Sequence, residues 1–129
     1  SARCQHLFGI DICWAAVTVV NNSSHPVEVT GDAWDENCSC YKTKTVIVEE
    51  GRSSRDYGIA DADRVRTINS DHPIDGHGTD EYYDPSGTGT VYLTDDDRPD
   101  HAGEIHEEDS GLIYGEWKKV PRGPKGTKE

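Results

Sequence analysis

The chain has 129 residues, 33% hydrophobic and 29% charged, with a mean hydropathy of −0.80 and a formal net charge of −12. That length suits one domain around a single thin core, and no apolar run approaches the roughly 20 residues of a membrane-spanning helix. Strong acidity repels phosphate backbones, which removes nucleic acid from the classes of partner.

The first half of the chain carries the cysteines and the clearest strand patterns. Cys4, Cys13, Cys38 and Cys40 form an even set in a short chain without methionine. Such a set predicts two disulfides in a processed, secreted protein. A bond between Cys38 and Cys40 would close a very small ring, so the spacing favours links from Cys4 and Cys13 to the later pair. Residues 12–20 (ICWAAVTVV) read as a buried strand, with Trp14 packed beside Cys13, and 21–24 (NNSS) as its turn. Sequons at Asn21, Asn22 and Asn37 are compatible with glycosylation. Alternation at 26–30 (PVEVT) and the run 42–48 (KTKTVIV) predict two further strands.

Further strands are expected at 64–68 (RVRTI), 90–94 (TVYLT), 103–108 and 112–120 (LIYGEWKKV), the last two joined by a turn at Asp109-Ser110-Gly111. A helical turn or two fits only 59–65 (IADADRV), and 121–129 (PRGPKGTKE) reads as a flexible basic tail. The expected fold is all-β: an antiparallel β-sandwich, or alternatively a small β-barrel, of about seven strands in a single domain over residues 1–120.

All of the net charge falls between Asp61 and Gly111, where 15 Asp and Glu face three Arg, while the remainder holds ten acids and ten bases. His72, His77, His101 and His106 lie in the same stretch, so its charge is expected to respond to pH near neutrality. Asp95, Asp96, Asp97 and Asp100, with Glu107 and Asp109 across the expected hairpin, offer the hard oxygen ligands that calcium prefers, although the D-x-[DN]-x-[DN]-G loop is absent. The G-x-G-x-D fragment at 76–80 occurs once, without the repeats that stack such turns. His101, Glu104 and His106 lack H-E-x-x-H spacing for zinc. Trp34, Tyr82 and Tyr83 lie in polar surroundings where an aromatic ring can stack on a sugar, whereas Trp117 reads as a core residue. No G-x-S-x-G nucleophile segment or free catalytic cysteine is evident.

The succession 17–29 (VTVVNNSSHPVEV) and 45–51 (TVIVEEG) resembles the opening of thaumatin-like and aegerolysin-like β-sandwiches, and of small cysteine-stapled effector or elicitor proteins secreted by fungi. The likeness covers about the first 50 residues and transfers no functional residue. It implies a secreted, non-catalytic protein acting on another organism or a cell surface. Together with the regional charge, the expectation is an extracellular binding protein whose 61–111 surface meets a basic host or cell-surface protein or a divalent cation such as Ca²⁺. A carbohydrate-binding module and a small secreted hydrolase are the alternatives.

Overall fold

The structure is a computed structural model and describes residues 4–68, 79–96, 98 and 104–121. These residues are all-β and form ten strands: β1 (Cys4–Leu7), β2 (Ile10–Cys13), β3 (Val17–Asn21), β4 (Val27–Asp35), β5 (Cys40–Val48), β6 (Ile59–Thr67), β7 (Thr79–Tyr83), β8 (Ser86–Asp95), β9 (Ile105–Tyr114) and β10 (Trp117–Pro121). A five-stranded sheet in the order β10-β7-β6-β4-β5 packs on a three-stranded sheet β3-β8-β9, and β1-β2 forms a separate hairpin. The expected tail lies outside the described residues after Pro121.

Alternation explains the packing. Val17 and Val19 of β3, Val27 and Val29 of β4, Val65 of β6 and Val91 and Leu93 of β8 are buried every second residue and meet between the sheets, with Tyr83 and Ile105 closing the core. Asn21 ties the β3–β4 turn inside this core. Its Nδ2 donates to the carbonyls of His25 (2.8 Å) and Val48 (3.0 Å), and its Oδ1 accepts from the Ser23 amide (3.0 Å) and hydroxyl (2.6 Å). Asn21 is therefore buried and closed to glycosylation in the folded chain, while Asn22 and Asn37 are exposed.

Several expectations are corrected. The disulfides are Cys4–Cys13 and Cys38–Cys40, each local, instead of links between the two pairs. Cys4 and Cys13 are directly opposite in the β1-β2 register, and Ser39 takes a left-handed φ of 50°, which folds the chain back between Cys38 and Cys40. The run 12–20 is interrupted at Trp14, which is 63% exposed and not packed. Residues 59–65 belong to strand β6, not to a helix; among the described residues the one helical turn is a 3₁₀ turn at Ser54–Tyr57. The sandwich is not wholly antiparallel, because β3 pairs with β8 in parallel.

The expected turn at 109–111 is the middle of β9, which pairs with β8 over ten residues. Gly89 and Gly111 explain this. They face each other with φ of 142° and 118°, and a Cβ on either would strike the opposing backbone carbonyl, of Ser110 or Thr88. Only glycine lets the two backbones approach in that conformation.

Candidate functional site

The described acids of 61–111 are divided between the two sheets. Asp95 accepts from the Ser24 amide at 3.2 Å, and the buried Asp96 holds Arg98 through Nη2 at 2.8 Å. Asp84 pairs with Arg64 at 2.7 Å. Asp97 and Asp100, with His72, His77 and His101, lie outside the described residues. The described members of the expected calcium set, Asp95, Asp96, Glu107 and Asp109, form no group of three convergent ligands. His106 instead hydrogen-bonds through Nε2 to the Thr94 hydroxyl at 2.9 Å.

Among the described residues, strand β9 is left with one unpaired edge. It is the outer strand of its sheet, bonded to β8, and Glu108 to Leu112 are all exposed. The Gly89 amide donates to the Ala16 carbonyl on the β3 side (3.0 Å). Backbone groups alternate sides along a strand, so Thr88 and Thr90 turn towards β9, and Glu107, Asp109 and Gly111 turn their amides away from β8. In register with the buried Leu93 and Val91, Glu107 and Asp109 project on the core side, and Glu108 opposite Tyr92 projects on the outer side. Among the described residues no Lys or Arg is ion-paired with Glu108 or Asp109. Burial, relieved in part by the residue's own backbone amide, holds the Glu107 carboxyl above its usual range. The same edge presses on Tyr83, whose phenol is pushed up to about 12 by burial and then by Glu107 and Asp109.

A second arrangement escaped the sequence. Asp32 of β4 and Asp61 and Asp63 of β6 bring three carboxylate oxygens within 4.8 Å of one another, the one such group among the described residues. Register shifts between Thr30 and Gly31 and between Asp32 and Ala33 mark bulges in the β4–β6 ladder, and these turn the acids together. Asp61 is buried and accepts from the Val17 amide at 2.9 Å. Burial, then the charges of Asp61 and Asp32, push the Asp63 carboxyl up to about 6. Burial and then Asp61 raise Asp32 as well. Three convergent hard oxygens can share a proton or take a divalent cation. A strand at 59–65 would have set Asp61 and Asp63 on one face, but that run reads as a helical turn in the sequence, and Asp32, 29 residues earlier, gives no signal.

The aromatic candidates separate. Trp34 carries the amino-terminal hairpin: its indole stacks on His6 at 4.3 Å and meets Tyr41 edge-on at 5.3 Å, while Asp11 accepts from Tyr41 at 2.7 Å. Tyr83 is 1% exposed and packs on Trp117, so it offers no face to a ligand. Tyr82 stays on the outer surface with the Arg64 guanidinium 5.3 Å above its ring. Trp117 is half-buried against the core, as its sequence context indicated.

No helix among the described residues is long and apolar enough to cross a membrane. Comparison of the chain with known protein families, with curated proteins and with solved structures finds no match.

Proposed function

We propose that the protein is a secreted, non-enzymatic binding protein that takes up an extended basic segment of a partner protein as an added strand on β9. The observation that carries this reading is the ten-residue outer strand, unpaired on its far side among the described residues, which bears Glu107, Glu108 and Asp109 in succession. Strand addition gains main-chain hydrogen bonds along the edge, and side-chain charge selects the partner. The three acids alternate between the faces of β9, which suits basic residues flanking an added strand and disperses the ligands a single cation would need. A second copy would bring a further net charge of −12 to the contact, so the charges that keep copies apart also favour a basic partner. Two disulfides and no free cysteine suit an oxidising, extracellular setting, in which the partner is a host or cell-surface protein and the role effector-like.

A labelled peptide Val-Thr-Val-Thr-Thr-Lys-Arg-Lys, antiparallel to β9, sets its valines opposite Tyr114 and Leu112 and its basic residues opposite Asp109, Glu108 and Glu107. The expected result is saturable binding that weakens as salt rises and falls by about tenfold or more in the Glu108→Lys, Asp109→Lys variant. A peptide N-methylated at alternate residues should not bind, because it cannot donate to the edge. Equal binding of the methylated peptide, or undiminished binding by the charge-reversed variant, overturns the reading.

A further inference from the structure

The two disulfides differ in kind. Cys4 and Cys13, nine residues apart, face each other in the β1-β2 register; both are half-buried, and Cys13 Sγ lies 4.0 Å from the Ala60 carbonyl oxygen. Cys38 and Cys40, two residues apart, sit at the end of the β4–β5 hairpin, with Cys38 exposed and Cys40 half-buried. The β4–β5 ladder already holds that hairpin through nine successive pairs, from Val27 opposite Val48 to Asp35 opposite Cys40. A bond around one intervening residue removes very little freedom from the unfolded chain, because that gain grows with the length of the closed loop. Fold stability therefore gives this disulfide little to do.

The loop instead favours the open form. Ser39, enclosed by the ring, takes a φ of 50°, a left-handed conformation that residues with a Cβ adopt at a cost. Opening the ring removes its hold on that residue. Cys38 Sγ lies 3.7 Å from the carbonyl oxygens of Asp35 and Cys40; a disulfide sulfur has no proton to give them, whereas a thiol has one. Lys42, two residues beyond Cys40, shares its face of β5. Its ammonium favours Cys40 as a departing thiolate. Asp35, opposite Cys40, has its carboxylate held by the Asn37 amide at 2.8 Å and by Lys42 at 3.4 Å, which tempers its repulsion of that thiolate. Exposed, small-ring disulfides with a stabilised reduced form are oxidants that pass their bond to other thiols.

Beside the loop, a groove of about 320 Å³ runs along β4 and β5, with Trp34, Glu36, Lys42 and Lys44 in its lining. We propose that Cys38–Cys40 is an exchange-active disulfide that oxidises a dithiol segment of another polypeptide seated along this groove. A substrate thiolate attacks the exposed Cys38 Sγ, the bond between the two sulfurs breaks, and Cys40 leaves as a thiolate that takes up a proton. The substrate's second thiolate then attacks the substrate sulfur of the mixed disulfide and displaces Cys38, which is protonated in turn. Two electrons and the two thiol protons pass from substrate to protein: the substrate gains a disulfide, and Cys38 and Cys40 end as thiols. The site lies at the end of a hairpin in the five-stranded sheet and is independent of the β9 edge.

Anaerobic mixing of the folded protein with an equivalent of the peptide Gly-Cys-Ala-Asn-Gly-Cys-Ala tests it, with acid quenching, alkylation of free thiols and mass mapping of each cysteine. The expected result is peptide disulfide matched mole for mole by alkylated Cys38 and Cys40, with Cys4–Cys13 intact. The equilibrium constant for reduction by glutathione should exceed that of Cys4–Cys13 by about a hundredfold or more. With N-acetylcysteine in place of the dithiol, the trapped mixed disulfide should lie on Cys38, and Lys42→Gln should slow the exchange by about threefold. The Cys38→Ser, Cys40→Ser variant, shown to be folded by its thermal melt, should leave the peptide reduced. An unoxidised peptide, a Cys38–Cys40 bond that outlasts Cys4–Cys13 in glutathione, or equal oxidation by the serine variant would overturn the proposal.

Discussion

Asp63 shows how a single residue's surroundings govern its chemistry. Its carboxyl is pushed up to about 6 from an ordinary value of 3.8 by burial and by Asp61 and Asp32. The shift is upward, so the folded protein binds a proton that the unfolded chain has already released. The contribution is most favourable below the unfolded value, is lost as pH rises through about 6, and stays lost above it. Asp63→Asn should therefore gain stability over the wild type between about pH 4.5 and about pH 7.5, by about 1 kcal/mol once solvent screening is discounted. Urea unfolding of both proteins at the two pH values checks this; an equal difference at both would refute the coupling. Phe8 offers a second test. It is fully exposed at the two-residue turn of the β1-β2 hairpin, with φ of 53° beside Gly9 at 79°. That turn favours Asn-Gly, so Phe8→Asn should raise the melting temperature by a few degrees, equivalent to about 0.5–1 kcal/mol. Tyr82 was legible from its polar setting, but its partners Arg64 and Asp84, and the more distant pair Glu28 and Arg66, meet only through the sheet register.

Among the elements, alternation made β4, the end of β5 and the core of β8 readable, because each buries one face. β6 misled for a physical reason: Ile59 to Ala62 are all buried, so a strand covered on both faces loses the two-residue period. β9 misled because Asp109-Ser110-Gly111 has the composition of a turn, while Gly111 serves the close approach to Gly89. Gly89→Val should separate β8 from β9, lowering stability by about 3 kcal/mol or more and abolishing peptide capture, as read by thermal melting and the peptide titration. The disulfides act locally. The Cys4→Ser, Cys13→Ser variant should leave the sandwich folded but release the hairpin from Trp34, with a chain-entropy loss of about 2–3 kcal/mol in hairpin stability. A red-shifted Trp34 emission with an unchanged far-ultraviolet spectrum is the expected signature; global unfolding would show the hairpin to be integral to the core.

Over the whole molecule, the contiguous acidic stretch in sequence becomes several distinct environments. Asp61 is buried on the Val17 amide, Asp84 and Asp96 answer arginines, and Glu107 to Asp109 line an open edge. Composition could state the net charge but not this division, which the strand register determines. The two sheets thereby present different chemistry: a groove of arginine–carboxylate pairs on one, and an acidic edge on the other. Amide hydrogen exchange on β9, with and without the basic octapeptide, measures the edge most directly. Strand addition requires slowed exchange at Glu107, Asp109 and Gly111, whose amides turn away from β8, with little change at Glu108 and Ser110. Saturating peptide that leaves those three amides unprotected, or protection already present in the free protein through self-pairing, would contradict the account.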